Sequence, residues 1–312
     1  MNAKLRLNAL WALKHFVTAV DNEMKRQCLE ELGQGWLVQL ICDDTEDEAR
    51  KSDHPPPPYS NDDMDEDTEM DQFEEQMDSS IGGSFARTNS SRPTSSRSKA
   101  IQQAEIRLAA LKEAETNPAK KARKDDIAVQ EQGLDFIRNL IGGPYHSGSS
   151  ETTEMIDFLF SALGQDRVFD ILASKLRPKV QNPFSRRSSA ADTKVIPPQP
   201  EIVNSVLYII VHLAASIPRH RQIVIAQTDL LKLLVPLFSH PNVDVRSGLC
   251  WLVHNLIWPE DSSDRSAAHQ RALELKRLRF LDGLETLGQD PELNVRERAK
   301  SSIAQMILQI GS

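Results

Sequence analysis

The sequence predicts an all-α superhelical solenoid of three-helix repeats that carries a long disordered insertion. Three observations predict it. Three short helices fit between Pro218 and Ile257, the last of them recurs four more times along the chain, and a stretch of segregated charge with few aliphatic residues interrupts the recurrence.

The unit from Pro218 to Ile257 sets the pattern. Its last helix has apolar residues at 245, 249, 252, 253, 256 and 257, the 3.6-residue stripe of an amphipathic helix. Asn242 is placed to cap that helix, and Asp244 suits the positive end of its dipole. Arg219 to Gln227 reads as a short first helix and Leu230 to Phe238 as a second, with Thr228 and Asp229 at its start. Laid over the chain, the last helix finds its columns again. Leu5, Val129, Ile202 and Val295 stand at the column of Val245, and Ala9, Gly133, Val206 and Ala299 at that of Leu249. Leu13, Ile137, Ile210 and Ile303 align with Val253, while Phe16, Leu140, Leu213 and Met306 align with Leu256. A fifth column reads His15, Asn139, His212, Asn255 and Gln305, a side chain with hydrogen-bonding atoms each time, which points to a shared surface.

Those residues carry a family resemblance. Three helices in about forty residues is the period of armadillo repeats. Trp251-xxx-Asn255, with Trp11-xxx-His15 and Tyr208-xxx-His212 as variants, resembles the aromatic and asparagine pair on their third helix. Leu10-Trp11-Ala12-Leu13 and Asn255-Leu256-Ile257-Trp258-Pro259-Glu260, with the helices out to about Ile307, are similar to the C-terminal part of the armadillo subunit of GID/CTLH ubiquitin ligases. The resemblance implies a subunit that holds the substrate receptor on a ligase core.

Taken in order, the chain opens on a third-helix sequence, Leu5 to Val17, with no first or second helix before it, so a fragment of a longer protein is expected. Glu23 to Glu31 and Trp36 to Cys42 match the first and second helices of the next repeat, turning at Gly33 and Gly35. From Asp43 to Asp78 sixteen acidic residues face Arg50 and Lys51, a net charge of −14, and from Ser84 to Lys124 ten basic residues face three acidic ones. Neither block holds enough apolar surface to fold, so 44–125 is predicted to be disordered, with one amphipathic stretch from Ala100 to Glu115. The columns at Leu5 and Val129 lie 124 residues apart against 43 for an uninterrupted unit, an insertion of about 81 residues between second and third helices. Loop length costs little there. The expected organisation is therefore an incomplete solenoid start over 1–43, the insertion over 44–125, and a solenoid over 126–312 with a smaller loop at 178–200. Within that last part helices are expected at Thr152 to Leu163, Gln165 to Leu176, Glu201 to Ala215, Ala267 to Lys276, Leu278 to Leu287 and Glu292 to Ile310. Asp290-Pro291 is expected to start the last of them.

Composition bounds the function. Apolar residues make 39% of the 312 and aromatics 5%, which suits stacked helices. Cys28, Cys42 and Cys250 are odd in number and scattered, pointing to a reduced intracellular setting, and cytoplasm and nucleus are the expected location. The longest apolar run, Val206 to Ala215, is far short of the roughly 20 residues needed to span a membrane. Most of the net charge of −8 lies in the insertion, so the helical part offers no evident phosphate-binding surface and nucleic acid is not an expected partner. No HExxH or paired CxxC spacing, glycine-rich phosphate loop or GxSxG elbow is present, so no metal, cofactor or catalytic residue is predicted.

Short motifs remain. Pro118-Ala119-Lys120-Lys121-Ala122-Arg123-Lys124 resembles a monopartite nuclear localisation signal, with Lys120, Lys121, Arg123 and Lys124 as its cations, against a reading as a solvated basic tract. Pro56-Pro57-Pro58-Tyr59 fits the WW-domain pattern through Pro56, Pro57 and Tyr59, against a chance proline run. Arg186-Arg187-Ser188-Ser189 offers Ser189 to a basophilic kinase. The candidate with geometry behind it is a partner-binding groove of Trp11, His15, Asn139, Tyr208, His212, Trp251, Asn255 and Gln305, its aromatics walling off the side chains of an extended peptide and its polar groups meeting the peptide backbone. Asp135 and Ser301 replace the aromatic in their repeats. The function expected is a non-catalytic scaffold or adaptor in a ubiquitin-ligase assembly that binds protein partners. A karyopherin-α-like transport adaptor is the alternative.

Overall fold

The computed structural model describes residues 3–33, 118–142, 149–181 and 194–311, and those from 3 to 33 and from 123 onward form one compact unit. The elements are α1 (Ala3–Ala19), α2 (Asn22–Leu32), α3 (Pro118–Ile141), α4 (Ser149–Leu163), α5 (Gln165–Leu176), β1 (Lys179–Gln181), β2 (Lys194–Ile196) and α6 (Pro200–Ala215). They continue with α7 (Pro218–Ile225), α8 (Thr228–Leu234) and the 3₁₀ turn Val235–Ser239 that extends it, then α9 (Val243–Ile257), α10 (Arg265–Arg277), α11 (Phe280–Leu287) and α12 (Leu293–Gly311).

Local chemistry sets these bounds. Asp21 caps α2 by accepting from the Met24 amide at 2.9 Å, and Gly33 ends the helix at φ 79°, where a side chain would be strained. Gly164 turns α4 into α5 at φ 85°. Pro200 and Pro218 occupy the first helical position of α6 and α7, where a missing N–H costs nothing. Asn242 caps α9 as expected, accepting from the amides of Asp244 at 2.8 Å and Val245 at 3.4 Å.

The five column-matched helices α1, α3, α6, α9 and α12 form a row. In α9 the residues of the repeating columns, Val245, Leu249, Val253 and Leu256, are all 0% exposed. Burial of a side chain that size is worth about 1.5–3 kcal/mol. Helix α9 lies against α6 on one side and α12 on the other. At Gly248 the approach to α6 is so close that an added Cβ would stand 2.8 Å from Leu207 Cδ2. Arg246 of α9 forks onto Asp290, just ahead of α12, at 2.6 and 3.1 Å, and further along Ser302 Oγ donates to the Cys250 carbonyl at 3.1 Å, so the two helices run parallel.

First helices brace the row. Three of the four, α2, α7 and α10, each send a buried cation to the C-terminal carbonyls of a third helix, where the helix dipole is negative; α4 has no lysine or arginine. Lys25 of α2 reaches Leu140 O at 3.3 Å and Gly142 O at 3.1 Å, at the end of α3. Arg221 of α7 donates to Ala214 O at the end of α6 and to Trp258 O just past α9. Arg271 of α10, 1% exposed, donates to Leu256 O at 2.6 Å and grips Asp264 with both terminal nitrogens at 3.0 and 2.8 Å. The Trp258-Pro259-Glu260 stretch is thus a connection gathered by two arginines, with Glu260 paired to Arg221 at 2.8 Å.

Several sequence expectations change. Helix α3 begins at Pro118, ahead of the boundary expected at 126, so the basic residues from Lys120 to Lys124 lie in its first turns and not in an extended segment. The loop expected at 178–200 contains a two-stranded antiparallel ribbon pairing Val180 with Val195. Asp290 accepts from the Glu292 amide at 2.9 Å, but Pro291 lies before the helix, which starts at Leu293. In α1 the column residues Leu5 and Phe16 stand 60% and 41% exposed, because no described helix covers them. The helix expected at Trp36 to Cys42, the stretch from Ala100 to Glu115, the WW motif at Pro56, Pro57 and Tyr59, and Ser189 lie outside the described residues. Among the described residues no single helix is long and apolar enough to cross a membrane.

Candidate functional site

The third helices bring the predicted aromatic and polar residues to a common face, but not in the same state. Trp251 on α9 is 39% exposed and Trp11 on α1 is 57% exposed, with Trp11 edge-on to His15 at 4.4 Å between ring centroids. Tyr208 on α6 is half-buried. Burial pushes its phenol up, as does the charge of Asp244, while Arg298 and Arg138 pull it down. Two cations from neighbouring helices thus act on one tyrosine.

The polar column is more occupied than the sequence suggests. Asn139 Nδ2 donates to the Lys14 carbonyl at 3.1 Å, and Asn255 Nδ2 donates to the Val211 carbonyl at 3.3 Å. In both cases the acceptor is the residue just before the matching column position of the preceding third helix. These asparagines tie neighbours together and keep the carbonyl oxygen and the second N–H of the amide for a ligand. His212 is half-buried against the α3 end, where a Cβ on Gly142 would meet its ring at 3.8 Å. Desolvation, helped by Arg138, lowers its pKa to about 4, so it is neutral at physiological pH. Gln305 is half-buried and His15 exposed. Asn255 and His212, both half-buried, are thus already engaged within the stack: one is hydrogen-bonded to the neighbouring third helix and the other packs against the end of α3.

Asp135, which replaces the aromatic in α3, is a knot of the row. It is buried and accepts from Lys14 of α1 at 3.3 Å and from Ser205 of α6 at 3.1 Å, with Arg138 at 3.4 Å. Ser301, the other replacement, is exposed and leaves the aromatic wall open at α12.

Three residues extend the face beyond those expected. The guanidinium of Arg298 on α12 lies 4.3 Å over the Trp251 ring. His254 meets Trp251 edge-on at 6.3 Å and Trp258 at 5.4 Å, and Trp258 is 47% exposed. Residues 251, 254 and 258 share one helical face, so the spacing from Trp251 to Trp258 carried this signal. Arg298, at the column of Gly248, had no counterpart to reveal it.

Elsewhere, burial pushes the Cys250 thiol up to about 12, which leaves it without a thiolate at neutral pH. Among the described residues no group of three or more His, Cys, Asp or Glu side chains is placed to hold a metal ion.

Residues 122–267 match the family described as VID28/GID5 C-terminal domain. GID complex subunit 5 of Schizosaccharomyces pombe is 23% identical over 227 residues, covering 57% of this chain and 25% of that protein. The chain thus spans about a quarter of the length of the curated relative it matches. A computationally designed armadillo repeat protein for modular peptide recognition aligns with a TM-score of 0.39 at 18% identity, over 57% of this chain and 58% of that one. An engineered protein from a structural genomics consortium aligns with a TM-score of 0.45 at 13% identity, over 99% and 93%. The family and the relative bear out the resemblance to GID/CTLH ligase subunits read from Asn255 to Glu260.

Proposed function

From the match of residues 122–267 to the VID28/GID5 C-terminal domain family, we propose that the chain is a non-catalytic subunit of a GID-type ubiquitin ligase, a scaffold whose row of third helices holds the substrate receptor. The observation that carries this reading is the aromatic face itself. Trp251, Trp258 and Trp11 stand 39%, 47% and 57% exposed along the row of third helices. Exposed tryptophans on a rigid helical row are the residue type that dominates protein-binding energies. The face works by binding an extended segment, the aromatics flanking its side chains and the remaining amide oxygens of Asn139 and Asn255 accepting from its backbone. Residence in cytoplasm and nucleus belongs to the same proposal.

The test is a binding titration of the chain with the substrate-receptor subunit, comparing wild type with Trp251→Ala and Trp11→Ala combined. These positions are chosen over Asn255 and His212 because the tryptophans are exposed and their loss leaves the stack intact. The expected result is a fall in affinity of roughly thirtyfold or more, the hot-spot threshold of about 2 kcal/mol, with an unchanged melting temperature. Undiminished affinity in a normally folded double variant removes the face from the interface.

A further inference from the structure

The proposed face has a charge preference written into it at Arg298. We propose that the part of it between α6 and α12 takes a carboxylate-bearing extended segment, with the Arg298 guanidinium as the group that receives the carboxylate. The inference rests on the reading of this face as the partner-binding surface and adds the chemistry of its occupant.

The first observation is what fills the space over Trp251. A tryptophan ladder that takes a basic peptide leaves the ring faces open, because the ligand's own cation is attracted to the π-cloud. Here Arg298 already lies 4.3 Å over that ring. An incoming lysine or arginine would have to displace it and bring two like charges together.

The second observation is the state of the guanidinium. Arg221, Arg246, Arg271 and Arg296 each spend their N–H groups on carboxylates or carbonyls of the stack. Arg298 is half-buried and, among the described residues, makes no hydrogen bond or ion pair; its recorded contact is with the ring. Its planar fork of donors is therefore held in place by stacking and left for an acceptor, and the fork matches a carboxylate in two-point geometry. The surroundings agree in sign. The charges of Arg298 and Arg138 both reach Tyr208, and the facing carboxylate is Asp244, near the start of α9. Arg138 is already paired with Asp135 at 3.4 Å, so Arg298 is the cation of this pair whose donors are uncommitted.

The experiment uses the full chain and two short fluorescent peptides with the same apolar residues, alternating with glutamate in one and lysine in the other. Anisotropy titrations are run at low salt and at about 0.15 M ionic strength. The glutamate peptide is expected to bind and the lysine peptide to bind at least about tenfold more weakly. Arg298→Gln is expected to lower glutamate-peptide affinity about ten- to a hundredfold, the range for a charge-assisted hydrogen-bonding group. Arg298→Lys keeps the charge without the fork and falls between the two; it also carries the test if Arg298→Gln lowers the melting temperature. Equal binding of the two peptides, or glutamate-peptide affinity indifferent to Arg298, overturns the inference. Receptor binding that depends on the tryptophans but not on Arg298 also overturns it and leaves the proposed function standing. Receptor binding indifferent to the tryptophans instead overturns that function, whatever the peptides do.

Discussion

Arg271→Met is the sharpest probe of what holds the stack together. The change keeps the volume and removes five donors from a side chain that is 1% exposed. Asp264, whose carboxylate is 5% exposed, loses both bonds to Arg271 and keeps only Arg221 at 3.6 Å and the Glu260 amide at 3.2 Å. Leu256 O, at the C-terminal end of α9, loses its donor altogether. Breaking a buried pair by removing one partner costs about 3–5 kcal/mol, and the retained Arg221 contact argues for the lower end. For a domain of this size that lowers the melting temperature by roughly 6–12 °C, at about 2–4 °C per kcal/mol. The assay is thermal unfolding of wild type, Arg271→Met, Asp264→Asn and the double variant. Once Asp264 is neutral, losing Arg271 should cost less, so the cycle should show a coupling of about 1.5 kcal/mol or more. A single variant melting within about 2 °C of wild type, or losses that simply add, would refute the argument that this pair ties α10 to the end of α9.

Other consequences are as direct. His212 has its pKa depressed by burial and by Arg138 to about 4 from 6.5, so the fold favours its neutral form; the stability it contributes is complete above 6.5 and is lost as pH falls toward 4. His212→Phe should therefore flatten the fall of melting temperature across that window, and an unchanged pH profile would deny the histidine its part. Asp290 lies below its ordinary 3.8, held down first by the hydrogen bond from Arg246 against the opposing effect of burial, so its contribution is present above 3.8 and drains as pH falls further; Arg246→Gln should lose that portion of the acid transition. In α11, a Cβ at Gly283 would stand 2.5 Å from ring carbons of Phe238, which packs edge-on against Phe280, so Gly283→Ala should destabilise by about 1–3 kcal/mol in a denaturant melt. Asp135→Ala should speed amide exchange in α1 more than in α12, since Lys14 is tied to that carboxylate.

The apolar stripes were the legible part of the chain, because a helix writes its buried face at a 3.6-residue period whatever surrounds it. The row of α6, α9 and α12 and the cap at Asn242 follow from that alone. What the pattern could not show is where polar atoms go once helices meet. Asn255 and Asn139 look like free ladder residues in sequence, yet their amides are committed to carbonyls on the neighbouring helix. Lys25, Arg221 and Arg271 read as surface cations of short amphipathic helices, and only the packed stack brings helix-end carbonyls to them. Arg298 is hidden for the same reason, since its partner is an aromatic ring 47 positions away in the sequence. Composition also misjudged the start of α3, because charge density argues against folding where a long helix can still run outward from its packed end.

The grip of Lys25 on the end of α3 joins residues from opposite sides of the long interruption in the repeat. Asn22 and Arg26 of the same helix add bonds to Glu154 of α4. Affinity between the two flanks is therefore built into folded contacts as well as into the peptide chain that joins them. A polypeptide nicked between residues 34 and 117 should remain a single particle on a sizing column, and the two pieces made separately should reassemble on mixing.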